Sequence, residues 1–305
     1  MILNGGQSMI FYNEKISPND QQQINDLAQQ NSQMPSLMSE DPQTRSLYDQ
    51  VIAGGTHSTD TVQVKEITLG GITGLLITPP SPKENVAIMY THGGGYIVGS
   101  ANGYQNYVAQ LAVKTNITAF IPNYALAPEN KFPKANKQLL AVYADLKDQY
   151  SNVIIVGDSA GGGLALSLTN QVTDKPLATV AMSPWTDMTM SSNSVKEKRS
   201  KDFLLGPVAS PEISKKYSGE TELTNAILSP LFSQVTNTVP TLIHVGTNEI
   251  LLDDSLRYAN KFANVNLFVW QEMFHAFPLF EQFESSQSAN QLTVNFILAQ
   301  TSSIK

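Results

Sequence analysis

The segment Val153-Ile154-Ile155-Val156-Gly157-Asp158-Ser159-Ala160-Gly161-Gly162 restricts what this chain can fold into more than any other. The residues before the glycine suit a strand buried on both faces, and Leu164, Ala165, Leu166 and Leu168 supply an apolar helical face after it. A turn that passes directly from strand to helix strains its central residue and crowds the positions two before and two after it. Gly157 and Gly161 occupy those positions, so the spacing predicts Ser159 held forward on a tight turn with its Oγ within reach of a partner. A chain with 19 glycines can produce G-x-S-x-G by chance, and a bland glycine-rich turn is the alternative. The strand before it and the helix after it argue for the nucleophile elbow.

The same alternation extends along the chain. Strand-like runs over 62–69 and 72–78 flank Gly70-Gly71, a two-residue hairpin signal, and are predicted to form an antiparallel edge. Strands over 86–91, 117–121, 178–182, 241–245 and 265–270 then alternate with helices over 104–114, 134–150, 255–262 and 288–299. Such a rhythm needs crossover connections and a mostly parallel central sheet flanked by helices. It stops between Met188 and Glu222, where the chain is polar and Pro-interrupted. The first 50 residues are rich in Gln, Asn and Ser, with a helix expected from Ser17-Pro18 through Ile24 and Leu27 and a break around Met34-Pro35. These two stretches are predicted to form a helical cap over the carboxyl ends of the strands of a single domain spanning all 305 residues.

Composition narrows the chemistry. The chain has no cysteine, which removes thiolate nucleophiles, thiolate metal sites and disulfides and leaves serine, threonine or carboxylate nucleophiles. A net charge of -7 argues against nucleic acid as a partner, and the one basic cluster, Lys196 to Lys201, is interrupted by Glu197. No run of eighteen apolar residues that could cross a bilayer is present. Residues 1–15 lack both a basic leader and a continuous apolar core, so a cytoplasmic location without membrane association is expected.

A serine nucleophile needs a base, and the chain has only His57, His92, His244 and His275. In sheets carrying this elbow the acid and then the histidine follow the serine, each after a strand. His57 and His92 come too early, and His244 lies inside the apolar run 241–245, where a core histidine is expected. His275, after the strand over 265–270, stands where a general base is needed. The acid that orients it should follow the strand containing His244, which leaves Glu249, Asp253 and Asp254. Glu249 is favoured because it is closest to the strand end, whereas an Asp at a helix start is explained by capping alone. The loop His92-Gly93-Gly94-Gly95 after the strand over 86–91 can bring backbone donors to an oxyanion, with the amide of Ala160 as a further donor. It lacks the G-x-G-x-x-G spacing and the Lys of a phosphate loop.

Taken with Asn123-Tyr124-Ala125-Leu126-Ala127-Pro128-Glu129, Phe132-Pro133, Ser183-Pro184-Trp185 and Leu228-Ser229-Pro230-Leu231, the His92–Tyr96 loop and the elbow resemble the hormone-sensitive-lipase family of α/β-hydrolases over most of residues 60–300. The resemblance implies the α/β-hydrolase fold, Ser159 as nucleophile, His275 as base, and Gly93, Gly94, Gly95 and Ala160 as oxyanion donors, with His92 orienting its loop. The family's acid position, usually an aspartate, aligns with Glu249, and its second, helix-starting aspartate with Asp253. Asn123 and Ala125 replace the charged residues usual in the family's Asp-Tyr-Arg-Leu-Ala-Pro-Glu run, so an ion pair anchored there is absent. The short connection from Asn260 to Val265 is expected to alter the pocket rim near His275.

These expectations describe a serine carboxylesterase that hydrolyses short-chain, soluble esters through an acyl-enzyme and needs neither metal nor other cofactor. Tyr96, Phe203, Phe274 and Phe277 are candidates for an apolar substrate pocket, the small-molecule ester being the expected partner. An amidase or deacetylase on the same triad, and a catalytically silent ligand-binding protein on the same fold, are the alternatives. The oligomeric state, a homodimer included, is left open.

Overall fold

The computed structural model describes residues 7–31, 38–208, 211–236 and 238–304. The break expected around Met34-Pro35 and the first six residues lie outside them. Nine strands form one sheet: β1 (Met9–Asn13), β2 (Gln63–Leu69), β3 (Ile72–Thr78), β4 (Val86–Thr91), β5 (Thr118–Pro122), β6 (Asn152–Asp158), β7 (Ala178–Met182), β8 (Thr241–Gly246) and β9 (Val265–Trp270). Their order across the sheet is β1-β9-β8-β7-β6-β4-β5-β3-β2. β2 pairs antiparallel with β3 and β3 with β5, while all other pairings are parallel.

The helices are α1 (Pro18–Asn31), α2 (Pro42–Gly54), α3 (Ala101–Thr115), α4 (Lys134–Gln149), α5 (Ser159–Gln171), α6 (Asn193–Glu197), α7 (Pro211–Ser218), α8 (Leu252–Lys261) and α9 (Glu284–Gln300). Strands β4, β5, β7 and β8 are buried along their whole length, as sheets covered on both faces require. One apolar layer packs α4 and α5 on one face, through Leu139, Val142, Leu164 and Leu168. The opposite layer packs α3 and α9 through Tyr104, Val108, Val294 and Ile297.

Three local features depart from the sequence-based picture. Met9–Asn13, inside the stretch assigned to a cap, is a sheet strand parallel to β9, with Phe11 stacked on Phe268. Its five residues carry no strong strand periodicity, and pairing with β9 decides their state. Helix α2 begins with an Asp41 cap on the Thr44 N–H and packs against α3. The connection from α8 to β9 enters the strand at Val265, whereas His275 follows its other end at Trp270. That connection therefore lies at the opposite end of the sheet from His275 and shapes no rim there.

β4 is hydrogen-bonded to both β5 and β6, so the chain's connections diverge to the two sides of β4. Open α/β sheets place their clefts at the carboxyl ends of strands at such a point. Thr91, the last residue of β4, is in register with Gly157 of β6, which brings the His92 loop and the Ser159 turn side by side.

Candidate active site

Ser159 is the first residue of α5 and has φ +53, left-handed backbone that side chains other than glycine rarely adopt. The surrounding space explains the flanking glycines: a Cβ on Gly157 would meet the side chain of Thr91 and the carbonyl of Gly161. One on Gly161 would run into the carbonyls of Thr91 and His92. Thr91 Oγ1 also donates to the Gly161 carbonyl at 2.8 Å, tying the helix start to β4.

Ser159 Oγ lies 2.8 Å from His275 Nε2, and His275 Nδ1 lies 3.0 Å from Glu249 Oε2. The three side chains are almost wholly buried. Glu249 Oε1 is held separately, accepting the hydroxyl hydrogen of Ser183 at 2.9 Å and the Gly246 N–H. Burial raises the Glu249 carboxyl above its ordinary value, against the pull of His275 and the Gly246 N–H. For His275 burial works downward, but the hydrogen bond and charge of Glu249, with the charges of Asp202 and Asp158, hold it above the usual histidine value. Asp253 is turned elsewhere, accepting the Ser194 N–H at 2.8 Å. Asp254 accepts the N–H groups of Thr186 and Asp187 at 2.8 and 2.9 Å. Of the three carboxylates open from sequence, the structure brings only Glu249 to His275.

The remaining histidines are accounted for. His244 is buried, accepts the Trp270 indole N–H at Nδ1 over 3.2 Å and lies 3.1 Å from Thr293 Oγ1 at Nε2, with burial pushing it down to about 3. His92 stacks on Tyr124, and its Nδ1 lies 2.8 Å from the Gly93 carbonyl. Burial lowers it to about 4, so it is neutral and holds its own loop. His57 pairs with Glu281 on the exposed surface.

The glycine loop is anchored by the elbow's own aspartate. Asp158 Oδ1 accepts the Gly93 N–H at 3.0 Å and the Tyr90 hydroxyl at 2.9 Å, while Oδ2 accepts the Tyr104 hydroxyl at 3.1 Å. Burial raises Asp158 to about 6 against these donors. Since the Gly93 N–H is taken, the expected donor set loses Gly93. Gly94, Gly95 and Ala160 have N–H groups without a partner among the described residues. Gly94 and Gly95 have φ +104 and +58, and a Cβ on Gly94 would collide with the Val98 carbonyl, so the loop's path requires glycine.

Where the family's charged run would begin, Asn123 Oδ1 instead accepts the Ala101 N–H at 2.7 Å at the start of α3. The motif's last residue does form an ion pair: Glu129 takes both terminal nitrogens of Arg45, from α2, at 2.9 and 2.8 Å.

An apolar cavity holding about 370 Å³, its open mouth included, rises over Ser159 between Gly95 and Leu251. Met38, Met190, Leu205, Val208 and Ile213 form much of its wall. The four aromatics expected there are placed differently. Tyr96 stacks face to face on Tyr217 at 3.8 Å, Phe203 packs on Phe274 at 5.3 Å, and Phe274 and Phe277 are fully buried beneath the His275 loop. Rings of this size bury more surface inside the core than at a rim, and Met and aliphatic side chains together with Trp185 line the cavity instead. Among the described residues no cluster of three or more His, Asp or Glu side chains could hold a metal ion, and no helix is long and apolar enough to cross a membrane.

Residues 88–279 match a family described by the alpha/beta hydrolase fold. The chain is 34% identical to an esterase of Acinetobacter venetianus over 66% of its own length and 69% of that protein's. It is 30% identical to an acetyl-hydrolase of Streptomyces hygroscopicus over 68% of its length and 73% of that protein's. Among solved structures, a hormone-sensitive lipase from a metagenome library superposes with a TM-score of 0.86 at 28% identity, over 94% of this chain and 99% of the other.

Proposed function

The chain belongs to the hormone-sensitive-lipase family of α/β-hydrolases, and from that membership we propose that it is a carboxylic ester hydrolase acting through an acyl-enzyme on Ser159. The observation that carries the mechanism is the unbroken line from Ser159 Oγ through His275 to Glu249, at 2.8 and 3.0 Å. With Glu249 accepting from Nδ1, the imidazole carries its proton there and Nε2 is the lone-pair nitrogen facing the hydroxyl. Ser159 Oγ attacks the ester carbonyl carbon while its proton passes to Nε2, and Glu249 stabilises the resulting imidazolium. The carbonyl oxygen becomes an oxyanion that the free N–H groups of Gly94, Gly95 and Ala160 receive. Collapse breaks the bond to the alcohol oxygen, which leaves with the proton from Nε2. Water, deprotonated by the same nitrogen, then attacks the acyl carbon; the bond to Ser159 Oγ breaks, Oγ takes the proton back from Nε2, and the acid leaves.

The cavity supports an apolar acyl group of short length as the part of the substrate bound over Ser159. Residues 38–40 and the insertion 188–222 act as the cap. Met38 and Leu205 contribute to one wall, and Lys216 of α7 pairs with Glu40 at 2.7 Å beside it. Turnover of p-nitrophenyl acetate that disappears in S159A, with one organophosphate bound per chain at Ser159, is the expected result. Full activity in S159A, or labelling of another serine, overturns the mechanism.

A further inference from the structure

Asp202 lies in the insertion 188–222, far in sequence from every residue assigned a chemical role, and is fully buried. Its Oδ2 accepts the N–H of Ile250, the residue after Glu249, at 2.9 Å. Oδ1 accepts the N–H groups of Leu205 at 2.8 Å and Leu204 at 3.2 Å. Its own backbone is fixed on both sides, its N–H on the Lys198 carbonyl and its carbonyl on the Gly206 N–H, each at 2.8 Å. Lys196 and Arg199 line a surface depression beside it, but among the described residues no cation pairs with its carboxylate. A buried carboxylate satisfied only by amides retains a charge that must be compensated nearby.

Resting on the esterase reading above, we propose that Asp202 is a positioning and charge-balancing residue of the ester-hydrolysing site, clamping the loop of Glu249 and supplying a second negative charge to the imidazolium of His275. The cap thereby carries part of the electrostatics of the reaction, and its docking completes the site. Both carboxylate oxygens are used as acceptors, Oδ2 by the loop of Glu249 and Oδ1 by the insertion, so the same group that bridges the two segments brings its charge to the site. The carboxylate also matches its surroundings energetically. Burial raises the Asp202 carboxyl, and the largest opposing influence is the charge of His275, ahead of its three N–H bonds. Reciprocally, Glu249, Asp202 and Asp158 are the charged groups that hold His275 up, from the β8–α8 loop, the insertion and the elbow respectively.

The experiment measures kcat/KM for p-nitrophenyl acetate against pH in the full chain, in D202N and in D202E, with organophosphate titration of Ser159 in each. Removing one negative charge makes the imidazolium less stable, so the acidic limb of the D202N profile moves to lower pH. Its plateau falls on the order of tenfold, the scale of one charge interaction in a partly screened site. D202E retains the charge and keeps the limb at its original pH, even where the longer side chain lowers the plateau. If D202N does not accumulate as folded protein, D202S, smaller and uncharged, reads the same limb. A limb that stays in place in the neutral variants, whatever the plateau does, overturns the proposal and leaves Asp202 a structural turn residue. Absence of ester turnover in the unaltered chain, or turnover that survives S159A, instead defeats the esterase reading on which the proposal rests.

Discussion

Ser183 donates its hydroxyl hydrogen to Glu249 Oε1 at 2.9 Å, at the carboxylate oxygen that His275 does not use. The same oxygen of Ser183 accepts the N–H of Ala276, next to His275, at 3.0 Å, so one hydroxyl joins the loop of Glu249 to the loop of His275. Ser183 has φ +47 and anchors its own N–H on the His244 carbonyl at 2.7 Å, a strained position held by β8. S183A leaves the Ala276 N–H without its acceptor and removes one donor from a buried carboxylate, at a cost of about 1–3 kcal/mol. We expect kcat to fall roughly ten- to a hundredfold with KM little changed, because the loss is in alignment of the imidazole rather than in substrate contact. Steady-state kinetics alongside urea unfolding separates this from a simple loss of folded protein.

Glu249 and Asp253 are four residues apart yet have different surroundings. Glu249 meets His275, whereas Asp253 accepts the Ser194 N–H, and its own N–H reaches Ser194 Oγ at 3.1 Å. On the proposed mechanism E249A removes the group that fixes the tautomer and balances the imidazolium, so kcat should drop by roughly 10³–10⁴. D253A should keep nearly full kcat and lose about 1 kcal/mol of stability, the value of a single backbone cap. The reverse pattern in a kinetic comparison of the two variants would move the acid to Asp253.

The difference between these carboxylates was legible only in part. Chain order and distance from the strand end favour Glu249, because both follow from the parallel sheet that the apolar alternation implies. The elbow and the glycine loop are legible for a similar reason, since steric demands confine Gly157, Gly161 and Gly94 to glycine wherever the chain makes these turns. The binding wall is not legible: Met38 and Leu205 come from segments without apolar periodicity and meet only after both fold over the sheet. Aromatics near the site, such as Phe274 and Phe277, attracted attention by residue type alone, and the core claimed them. Ser183 stands in a visible Ser-Pro-Trp run, but its link to Glu249 spans 66 residues and no local pattern encodes it. Gly93 shows the same limit, because only the fold reveals that Asp158 already holds its N–H.

The pH dependence of turnover should report His275. The base function proposed for it needs the neutral form, and Glu249 with the neighbouring carboxylates holds its protonation above the ordinary histidine value. Activity should therefore fall with decreasing pH through a limb higher than that of a free histidine. The raised value means that the ion pair contributes its stability below the unfolded-state value and loses it as pH rises through the folded one. Turnover should consequently disappear on acidification while this pair's contribution to stability grows. A pH–rate profile beside thermal melts tests this, and E249Q should move the limb to lower pH.

Asp254 offers a separate test of buried charge. Its carboxyl is raised to about 7, chiefly by burial and then by the charge of Asp187, which is itself paired with Arg257 at 2.6 Å. A folded-state value above the unfolded one means that the folded protein binds the extra proton between about 4 and about 7, so stability declines as pH rises through that window. Its Oδ2 accepts the N–H groups of Thr186 and Asp187, a task that the Oδ1 of asparagine performs without charge. D254N should thus melt at a higher temperature than the unaltered chain at pH ~8, with the advantage shrinking at pH ~5. Melting curves at the two values decide it, and a uniform loss of stability at both would show that the carboxylate itself is needed.

Met38 sets the last expectation, because it approaches the glycine loop and the cavity over Ser159 at once. A Cβ placed on Gly95 would strike the Met38 methyl group, so the side chain lies directly over the loop that bends past Ser159. It also forms the cavity wall with Leu205, Val208 and Ile213. An acyl chain growing from Ser159 therefore meets a thioether that is flexible but occupies the space of several methylenes. M38A vacates that space, and each further methylene the cavity then buries is worth about 0.8 kcal/mol, roughly fourfold in kcat/KM. The rate series from acetyl to decanoyl esters should shift toward longer chains, while acetate turnover changes little because it does not reach the wall. G95A should act oppositely, lowering turnover for every ester, since its methyl group meets Met38 and its backbone sits at φ +58. An unchanged length profile in M38A would mean that the acyl chain leaves Ser159 by another path and that this cavity receives the alcohol side instead.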